Sequence, residues 1–171
     1  MNAISTDSCL RMSRWFAAPC ERVFEAMVEP ALMRGWMLAD RDALFDIDLC
    51  VGGEWTITSH AHGQPVTTTG RFVEIDRPRR LVYTAVLPKA SALSDMVAIG
   101  LEAEAGGCLL TLTQSGTGIA REIAQRGDSD KTDREVAWSH AFDALAALLR
   151  GHCERPAPAA AFERIAARWP E

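Results

Sequence analysis

Two histidines, His60 and His62, come closest in this sequence to the spacing of a metal site. If residues 54–60 form a strand, side chains two positions apart point to the same face, where two imidazoles can bind one metal ion. No third ligand is indicated, however, and the pair flanks a His-Gly-Gln-Pro turn at 62–65. The sequence therefore favours a solvent-exposed turn, and we predict no metal and no cofactor.

Two acidic residues, Asp46 and Asp48, have the spacing of a carboxylate pair that could perform general acid–base catalysis. They alternate with Phe45, Ile47 and Leu49, and these apolar side chains are expected to occupy the interior face of a strand. We predict that both aspartates face solvent.

A small basic cluster lies at 77–80, where Arg77, Arg79 and Arg80 surround Pro78. It is interpreted as the rim of a hairpin, with a surface for a phosphate group or an acidic partner as the alternative. No nucleophile elbow, phosphate-binding glycine loop or Cys-x-x-Cys pair occurs in the sequence. The catalytic residues, if there are any, are therefore not assigned.

The strongest element that could position a site is an amphipathic helix at 132–150. Thr132 or Asp133 is expected to cap it, Glu135 lies in its first turn, and Gly151 follows as a stop. Four apolar side chains share one face at i, i+4, i+7 and i+11, namely Trp138, Phe142, Leu145 and Leu149. His140 points about 200° away from this face and is predicted to lie at the surface.

Shorter elements precede this helix. The pattern predicts a first strand at 9–17, two short helices separated by Pro30, and six strands at 43–50, 54–60, 66–76, 80–88, 95–105 and 108–116. Tight turns between consecutive strands indicate an antiparallel meander. The polar residues 117–131 are interpreted as an irregular connection with at most one helical turn.

Composition limits the class of protein. With 171 residues, 48% of them hydrophobic, the chain is expected to form one globular domain at 9–150, followed by a Pro- and Ala-rich tail at 151–171. A net charge of −5 argues against nucleic acid, and no apolar run is long enough to insert into a membrane. Five scattered cysteines and the lack of a secretory signal predict reduced thiols and a cytoplasmic location.

Five segments carry a family resemblance in the same order as in the family. They are APCERVFEAMVEPALMRGWM (18–37), FDIDLCVGGEWTI (45–57), GRFVEIDRPRRLVYTAV (70–86), LLTLTQSG (109–116) and WSHAFDALAALL (138–149). The chain resembles the START-related, helix-grip superfamily, and within it the group named after the C-terminal domain of the activator of Hsp90 ATPase. The resemblance covers roughly residues 10–150.

The resemblance implies an α+β helix-grip fold of the Bet v 1/START type. In this fold a curved antiparallel sheet of six or seven strands surrounds the long C-terminal helix, and two short helices follow the first strand. A ligand pocket between the sheet and the helix is expected. The lining that we predict consists of Trp36, Trp55, Ile57, Phe72, Trp138, Phe142 and Leu145. The alternative is that these side chains fill a dry core.

Three functions remain open at this point. The favoured one is binding of a small hydrophobic molecule in the pocket without catalysis. The second is a cyclase, dehydratase or hydrolase acting on such a molecule, for which Glu102, Arg71 and Gln114 are the strand residues to test. The third is a protein-interaction module, as the family's name suggests. Whether the chain is an enzyme is therefore uncertain.

The tail after residue 151 contains apolar side chains at helical spacing. Phe162, Ile165, Ala166 and Trp169 would form a short helix, which is marginal in water unless it is covered. We expect it to dock on the same domain or on a second subunit, so that a homodimer is one arrangement consistent with the sequence.

Overall fold

The computed structural model describes residues 8–37, 42–86, 93–126 and 131–151. The strands are β1 (Cys9–Phe16), β2 (Leu44–Ile47), β3 (Glu54–Ala61), β4 (Gln64–Asp76), β5 (Arg80–Val86), β6 (Ser94–Glu104) and β7 (Gly107–Gly116). The helices are α1 (Cys20–Val28), α2 (Pro30–Met33), α3 (Thr117–Gln125) and α4 (Asp133–Leu149). Among the residues of these ranges, no helix is both long and apolar enough to cross a membrane.

All seven strands belong to one curved antiparallel sheet, in the order β1-β7-β6-β5-β4-β3-β2. The six consecutive strands form the predicted meander, and β1 adds to its far edge by pairing with β7 from Cys9↔Ser115 to Phe16↔Cys108. A chain that leaves β1 at one edge must therefore cross the sheet to begin β2 at the other. Helices α1 and α2 lie on this crossing and cover the concave face, so the α+β helix-grip fold is confirmed.

The Gly52–Gly53 turn between β2 and β3 is hydrogen-bonded to β4. Gly52 has φ +83°, a conformation that favours glycine, and its N–H donates to the carbonyl of Phe72 at 2.8 Å. Phe72 donates in return to the carbonyl of Gly53 at 3.0 Å. The turn between β2 and β3 is thereby fixed against β4.

Helix α4 has the capping predicted for it. The Thr132 side chain accepts a hydrogen bond from the N–H of Glu135 at 3.1 Å, which satisfies one of the unpaired N–H groups of the first turn. At its other end, Gly151 adopts φ +72° directly after the helix. Trp138, Phe142 and Leu145 are buried, while Leu149 at the last turn is only partly buried.

The expectation for residues 117–131 was wrong, because Thr117–Gln125 form the nine-residue helix α3. No local side chain caps its start. Instead, the carboxylate of Asp95 accepts hydrogen bonds from the N–H groups of Gly118 at 2.8 Å and Ile119 at 3.1 Å. Because this cap comes from a strand more than twenty residues earlier, the local sequence carries no signal for it.

Asp95 is also one end of a buried ionic network that joins the sheet to both C-terminal helices. The guanidinium of Arg134 on α4 forms ion pairs with Asp95 on β6 and with Glu122 on α3, the latter at 2.9 Å. All three side chains are at least nine-tenths buried. Burial lowers the pKa of Arg134 to about 10, which still leaves the guanidinium charged at neutral pH.

The network continues through neutral groups to the aromatic face of α4. The side-chain amide of Gln114 on β7 donates to Asp95 at 2.8 Å, and its oxygen accepts from the indole N–H of Trp138 at 2.9 Å. Trp138 then packs on Phe142, and Phe142 packs edge-on against Phe16 of β1. One chain of contacts therefore sets the position of α4 on strands β1, β6 and β7.

The tail lies outside the described residues, since these end at 151. The same applies to the predicted helix with Phe162, Ile165, Ala166 and Trp169 and to its docking.

Replacing Asp95 by Ala should destabilise the fold far more than an ordinary surface substitution. The change removes one of the two carboxylates that pair with the buried guanidinium and leaves three buried N–H donors without their acceptor, so we expect a loss of about 3–5 kcal/mol in the free energy of unfolding. Urea denaturation measures it. The matched control is Asp143→Ala, which removes an exposed ion pair to Arg14 and should cost less than about 1 kcal/mol. Equal losses in the two variants would contradict the role assigned to the network.

Candidate functional site

The candidate site is a small apolar recess between helices α1 and α2 and strands β2–β6 of the sheet. It is lined by Met27, Met33, Trp36, Met37, Ile47, Trp55, Ile57, Phe72, Leu81, Tyr83 and Ile99. Its free volume is about 30 Å³. That is room for a water molecule but well below the ~150 Å³ in which a protein core can hold benzene.

The floor of the recess follows from the alternation of strand side chains. Trp55 and Ile57 project from one face of β3, as Leu81 and Tyr83 do from β5. Phe72 of β4 lies between them, opposite Tyr83 in the strand pairing. Three aromatic rings pack edge-on here: the centroids of Trp55 and Tyr83 are 5.7 Å apart, and those of Phe72 and Tyr83 are 6.4 Å apart.

The roof is held in place by a proline and a tryptophan. Pro30 ends α1 and has no N–H to donate to the carbonyl of Ala26, four residues earlier. The indole N–H of Trp36 donates to that carbonyl instead, at 2.8 Å. Trp36 is thereby fixed over the sheet, and three methionines, Met27, Met33 and Met37, surround it in the lining.

The floor contains one polar atom without a partner. The indole N–H of Trp55 is buried and makes no hydrogen bond within the described residues. Its ring lies across Gly70 of β4, where a Cβ atom would come within 2.5 Å of the indole nitrogen. Glycine at this position therefore gives the indole the space it occupies.

Four of the seven residues predicted to line a pocket lie together in this recess: Trp36, Trp55, Ile57 and Phe72. The other three, Trp138, Phe142 and Leu145 of α4, are buried beside β1 and β7. They do not contribute to the lining as described. The recess is thus displaced from the C-terminal helix towards the two short helices.

Several lining residues were missed by the sequence analysis, namely Met27, Met33, Met37, Ile47, Leu81, Tyr83 and Ile99. For the strand residues the signal was present, since Leu81 and Tyr83 alternate as an inward face should. For Met27 the apolar stripe of α1, shared with Phe24 and Val28, indicated burial. That the methionines meet the sheet at this recess depends on how the chain crosses it after β1, for which the sequence carries no signal.

The strand residues considered for catalysis lie elsewhere. Gln114 is buried but is committed to Asp95 and Trp138. Arg71 is exposed and pairs with Glu54 at 2.5 Å, and Glu102 is exposed.

The remaining polar candidates are at the surface. Asp46, Asp48 and His140 are exposed, as predicted. His60 and His62 are exposed at the β3–β4 turn, where His62 has φ +52°. Within the described ranges, no cluster of three or more His, Cys, Asp or Glu side chains could hold a metal ion.

The arginine cluster forms a hairpin rim tied by carboxylates. Arg79 is paired with Asp76 at 3.0 Å and Arg80 with Glu74 at 2.9 Å. The Arg79 guanidinium lowers the pKa of the Asp76 carboxyl. Arg77 lies over the ring of Phe24, 5.4 Å from its centroid.

Two buried thiols that do not line the recess lie where α1 meets β7. The Cys20 Sγ–H donates to the Sγ of Cys108 at 2.8 Å, and the pair is free rather than disulfide-bonded. Burial, with a contribution from this hydrogen bond, raises the pKa of Cys108 to about 12. Cys108 is therefore protonated at neutral pH, and both buried cysteines behave as small core side chains.

Comparison with known proteins identifies one family and many solved structures with a similar fold. The family model described as "Activator of Hsp90 ATPase homolog 1-like protein" matches residues 17–150. A search of curated proteins found no match.

Three solved bacterial structures illustrate the similarity of fold. Protein NE0264 from Nitrosomonas europaea is 21% identical, with a TM-score of 0.68 over 88% of this chain and 97% of its own. Protein CV1439 from Chromobacterium violaceum is 23% identical, with a TM-score of 0.64 over 83% and 96%. Protein Mll3558 from Rhizobium loti is 24% identical, with a TM-score of 0.65 over 82% and 95%.

The single tyrosine of the chain permits a direct test of the recess. Burial raises the pKa of Tyr83 above its ordinary value of 10, because the apolar surroundings disfavour the phenolate. In the folded protein, tyrosinate absorbance should therefore appear only above pH 10, whereas in urea it should appear around pH 10. Since unfolding lets the phenolate form, stability should also fall as the pH rises above 10, by up to about 1.4 kcal/mol per unit.

Tyr83→Phe supplies the baseline for this titration, because it contains no tyrosine. It should also lose the part of the alkaline destabilisation that Tyr83 causes. A tyrosinate midpoint at the ordinary value in the folded protein would show that the recess is open to water at Tyr83.

Proposed function

The chain belongs to the activator of Hsp90 ATPase homolog 1-like family, and from this premise we propose that it binds a small apolar molecule in the recess between α1–α2 and strands β2–β6. The observation that carries the proposal is the composition of the recess wall. Every lining side chain is aliphatic, aromatic or a methionine. Burying an apolar molecule against such a wall is favourable by about 25 cal/mol per Å² of apolar surface removed from water.

The recess must open to admit such a molecule, since ligand pockets usually measure ~300–1,000 Å³. Its roof is suited to this. Met27, Met33 and Met37 are unbranched and can change rotamer at low energetic cost, so they can withdraw from the sheet without unfolding either helix. The floor is more rigid, because its aromatic rings are packed edge-on between paired strands. We therefore expect the ligand to displace methionines rather than strand residues.

The proposed location differs from the one inferred from the sequence. The aromatic face of α4 is held by Gln114 through Trp138 and by Phe16 through Phe142. A ligand inserted there would have to break the buried network, whereas a ligand beneath α1 and α2 would not. Inserting a ligand beneath α1 and α2 therefore costs less free energy than inserting it beneath α4.

Catalysis in the recess would depend on Tyr83, the one described lining residue whose side chain can ionise near the usual pH range. Its raised pKa keeps the hydroxyl protonated at neutral pH, so it can donate a hydrogen bond but cannot act as a base there. This observation favours binding over an acid–base reaction.

A protein-interaction module would present a contiguous apolar surface. The most exposed large apolar side chains among the described residues come from separate elements: Trp15 of β1, Leu44 of β2, Val51 of a turn, Val73 of β4 and Met96 of β6. This distribution gives less support to a partner than the recess gives to a ligand. A cytoplasmic location and a dimer formed through the tail remain predictions from the sequence.

Filling the recess should abolish ligand binding. In Ile99→Phe the larger ring projects into the free space, so binding of tetralin, an apolar bicyclic probe, should weaken by at least about tenfold. Isothermal titration calorimetry measures the affinity. In parallel, native mass spectrometry of the purified wild-type protein and solvent extraction would identify a co-purifying apolar molecule.

The matched control is Ile119→Phe, which makes the same change at a buried site on α3, away from the recess. It should lose stability through overpacking but keep its affinity for tetralin. Equal weakening in both variants, or no binding of tetralin and no apolar passenger in the wild type, would contradict the proposed function.

A further inference from the structure

We propose that the molecule bound in the recess is neutral and carries a carbonyl-type oxygen, which accepts a hydrogen bond from the indole N–H of Trp55. This inference rests on the proposed function and adds to it the chemical class of the ligand. It starts from one atom, the unpartnered Nε1 of Trp55, in a wall whose other polar side-chain groups are the hydroxyl of Tyr83 and the already bonded indole N–H of Trp36.

Trp55 differs from the other tryptophans that the structure describes. Trp36 donates its indole N–H to the carbonyl of Ala26 at 2.8 Å, and Trp138 donates to Gln114 at 2.9 Å. Even Trp15, which is 44% exposed, donates to the carbonyl of Glu104 at 2.9 Å. Trp55 is only 7% exposed, yet its N–H has no acceptor among the described residues. Buried donors without a partner are rare in folded proteins, so this one calls for an explanation.

The packing of Trp55 prevents the indole from turning towards another acceptor. The ring packs against that of Tyr83 nearly at right angles, with an interplanar angle of 88°. The Nε1 edge lies against Gly70 in the space where any other residue would place its Cβ, and the carbonyl oxygen of Thr84 borders the same space without accepting a hydrogen bond from the indole. Rotation of the ring would break the contact with Tyr83 and vacate the space above Gly70. The donor is therefore held in position before a ligand arrives, which lowers the entropic cost of using it.

The surroundings of this donor select a neutral acceptor. Within the described lining there is no charged side chain, so a carboxylate placed here would lose its hydration without gaining a counter-ion. A ketone, aldehyde or ester oxygen loses less on transfer from water and recovers a hydrogen bond. The protein without ligand already carries the free-energy cost of burying an unpaired N–H. Forming the hydrogen bond removes this cost and therefore favours a ligand that has the oxygen.

A buried water molecule is the competing acceptor, since the free volume of about 30 Å³ is large enough for one. A buried water typically needs about three polar partners. The described lining supplies the N–H of Trp55 and the hydroxyl of Tyr83, because the N–H of Trp36 is already bonded to Ala26. A ligand that fills the recess with carbon and places one oxygen at Trp55 fits this wall better than water does.

The test compares two probes with the same carbon skeleton, 1-tetralone and tetralin, which differ by one ketone oxygen. We expect the wild-type protein to bind 1-tetralone about threefold to tenfold more tightly, the range corresponding to one net hydrogen bond. In Trp55→Phe, which keeps an aromatic ring but has no N–H, this preference should disappear. Isothermal titration calorimetry with both probes and both proteins measures the ratio.

Trp36→Phe is the matched control, because it makes the same substitution in the same recess at an indole whose N–H is already occupied. It should lose stability by leaving the Ala26 carbonyl unpaired, but should keep the preference for the ketone. A second readout needs no variant to fold well. In ¹H–¹⁵N spectra of the wild-type protein, the indole N–H resonance of Trp55 should move downfield with 1-tetralone and not with tetralin.

The outcomes separate the two proposals. If both probes bind the wild type with equal affinity and the Trp55 resonance does not respond to the ketone, the inference about Trp55 is wrong and the proposed function stands. The same holds if Trp55→Phe retains the ketone preference. If neither probe binds, and no apolar passenger is extracted from the wild-type protein, both proposals fail together.

Discussion

The positions of α3 and α4 on the sheet depend on the buried ion pairs of Arg134. A guanidinium removed from water is costly unless its charge and its donors are matched, and here two carboxylates from different elements, Asp95 and Glu122, match it. Satisfying this one side chain fixes α4 against the sheet and α3 against α4. The carboxylate of Asp95 also caps the N-terminus of α3. An apolar interior alone would not specify this arrangement, since apolar contacts tolerate sliding far better than paired charges do.

This constraint explains why the free space lies where it does. The network and the aromatic contacts of Trp138 and Phe142 fill the region between α4 and the strands β1, β6 and β7. The other half of the sheet is covered by two short helices separated by Pro30, which cannot close over it as one straight rod. Methionines complete this cover. The protein thus has two parts. In the rigid half, ion pairs and aromatic contacts fix α4 on β1, β6 and β7; in the adaptable half, flexible apolar side chains of α1 and α2 cover the remaining strands.

Among the residues that the structure describes, the indole nitrogen of Trp55 is the one buried side-chain N or O atom without a hydrogen-bond partner, and it lies in the adaptable half. The N–H of Trp55 is held in place by Tyr83 and by the absence of a side chain at Gly70, yet it has no acceptor among the described residues. The buried charges of the network are paired, whereas this donor in the recess is not. An unpaired buried N–H lowers the stability of the folded protein, whereas a hydrogen bond to a ligand would make it favour binding.

Local patterns in the sequence were sufficient to predict the strands, the long helix with its Thr132 cap and, through the family resemblance, the helix-grip fold. Period and capping depend on neighbours along the chain, and these are visible in the sequence. The tertiary structure alone decided that Asp95 caps a helix more than twenty residues later and that Arg134 is buried between two carboxylates. It also decided that the recess lies beneath α1 and α2 and that the N–H of Trp55 is unpaired. These features arise where distant segments meet, and no single segment carries a signal for its partner.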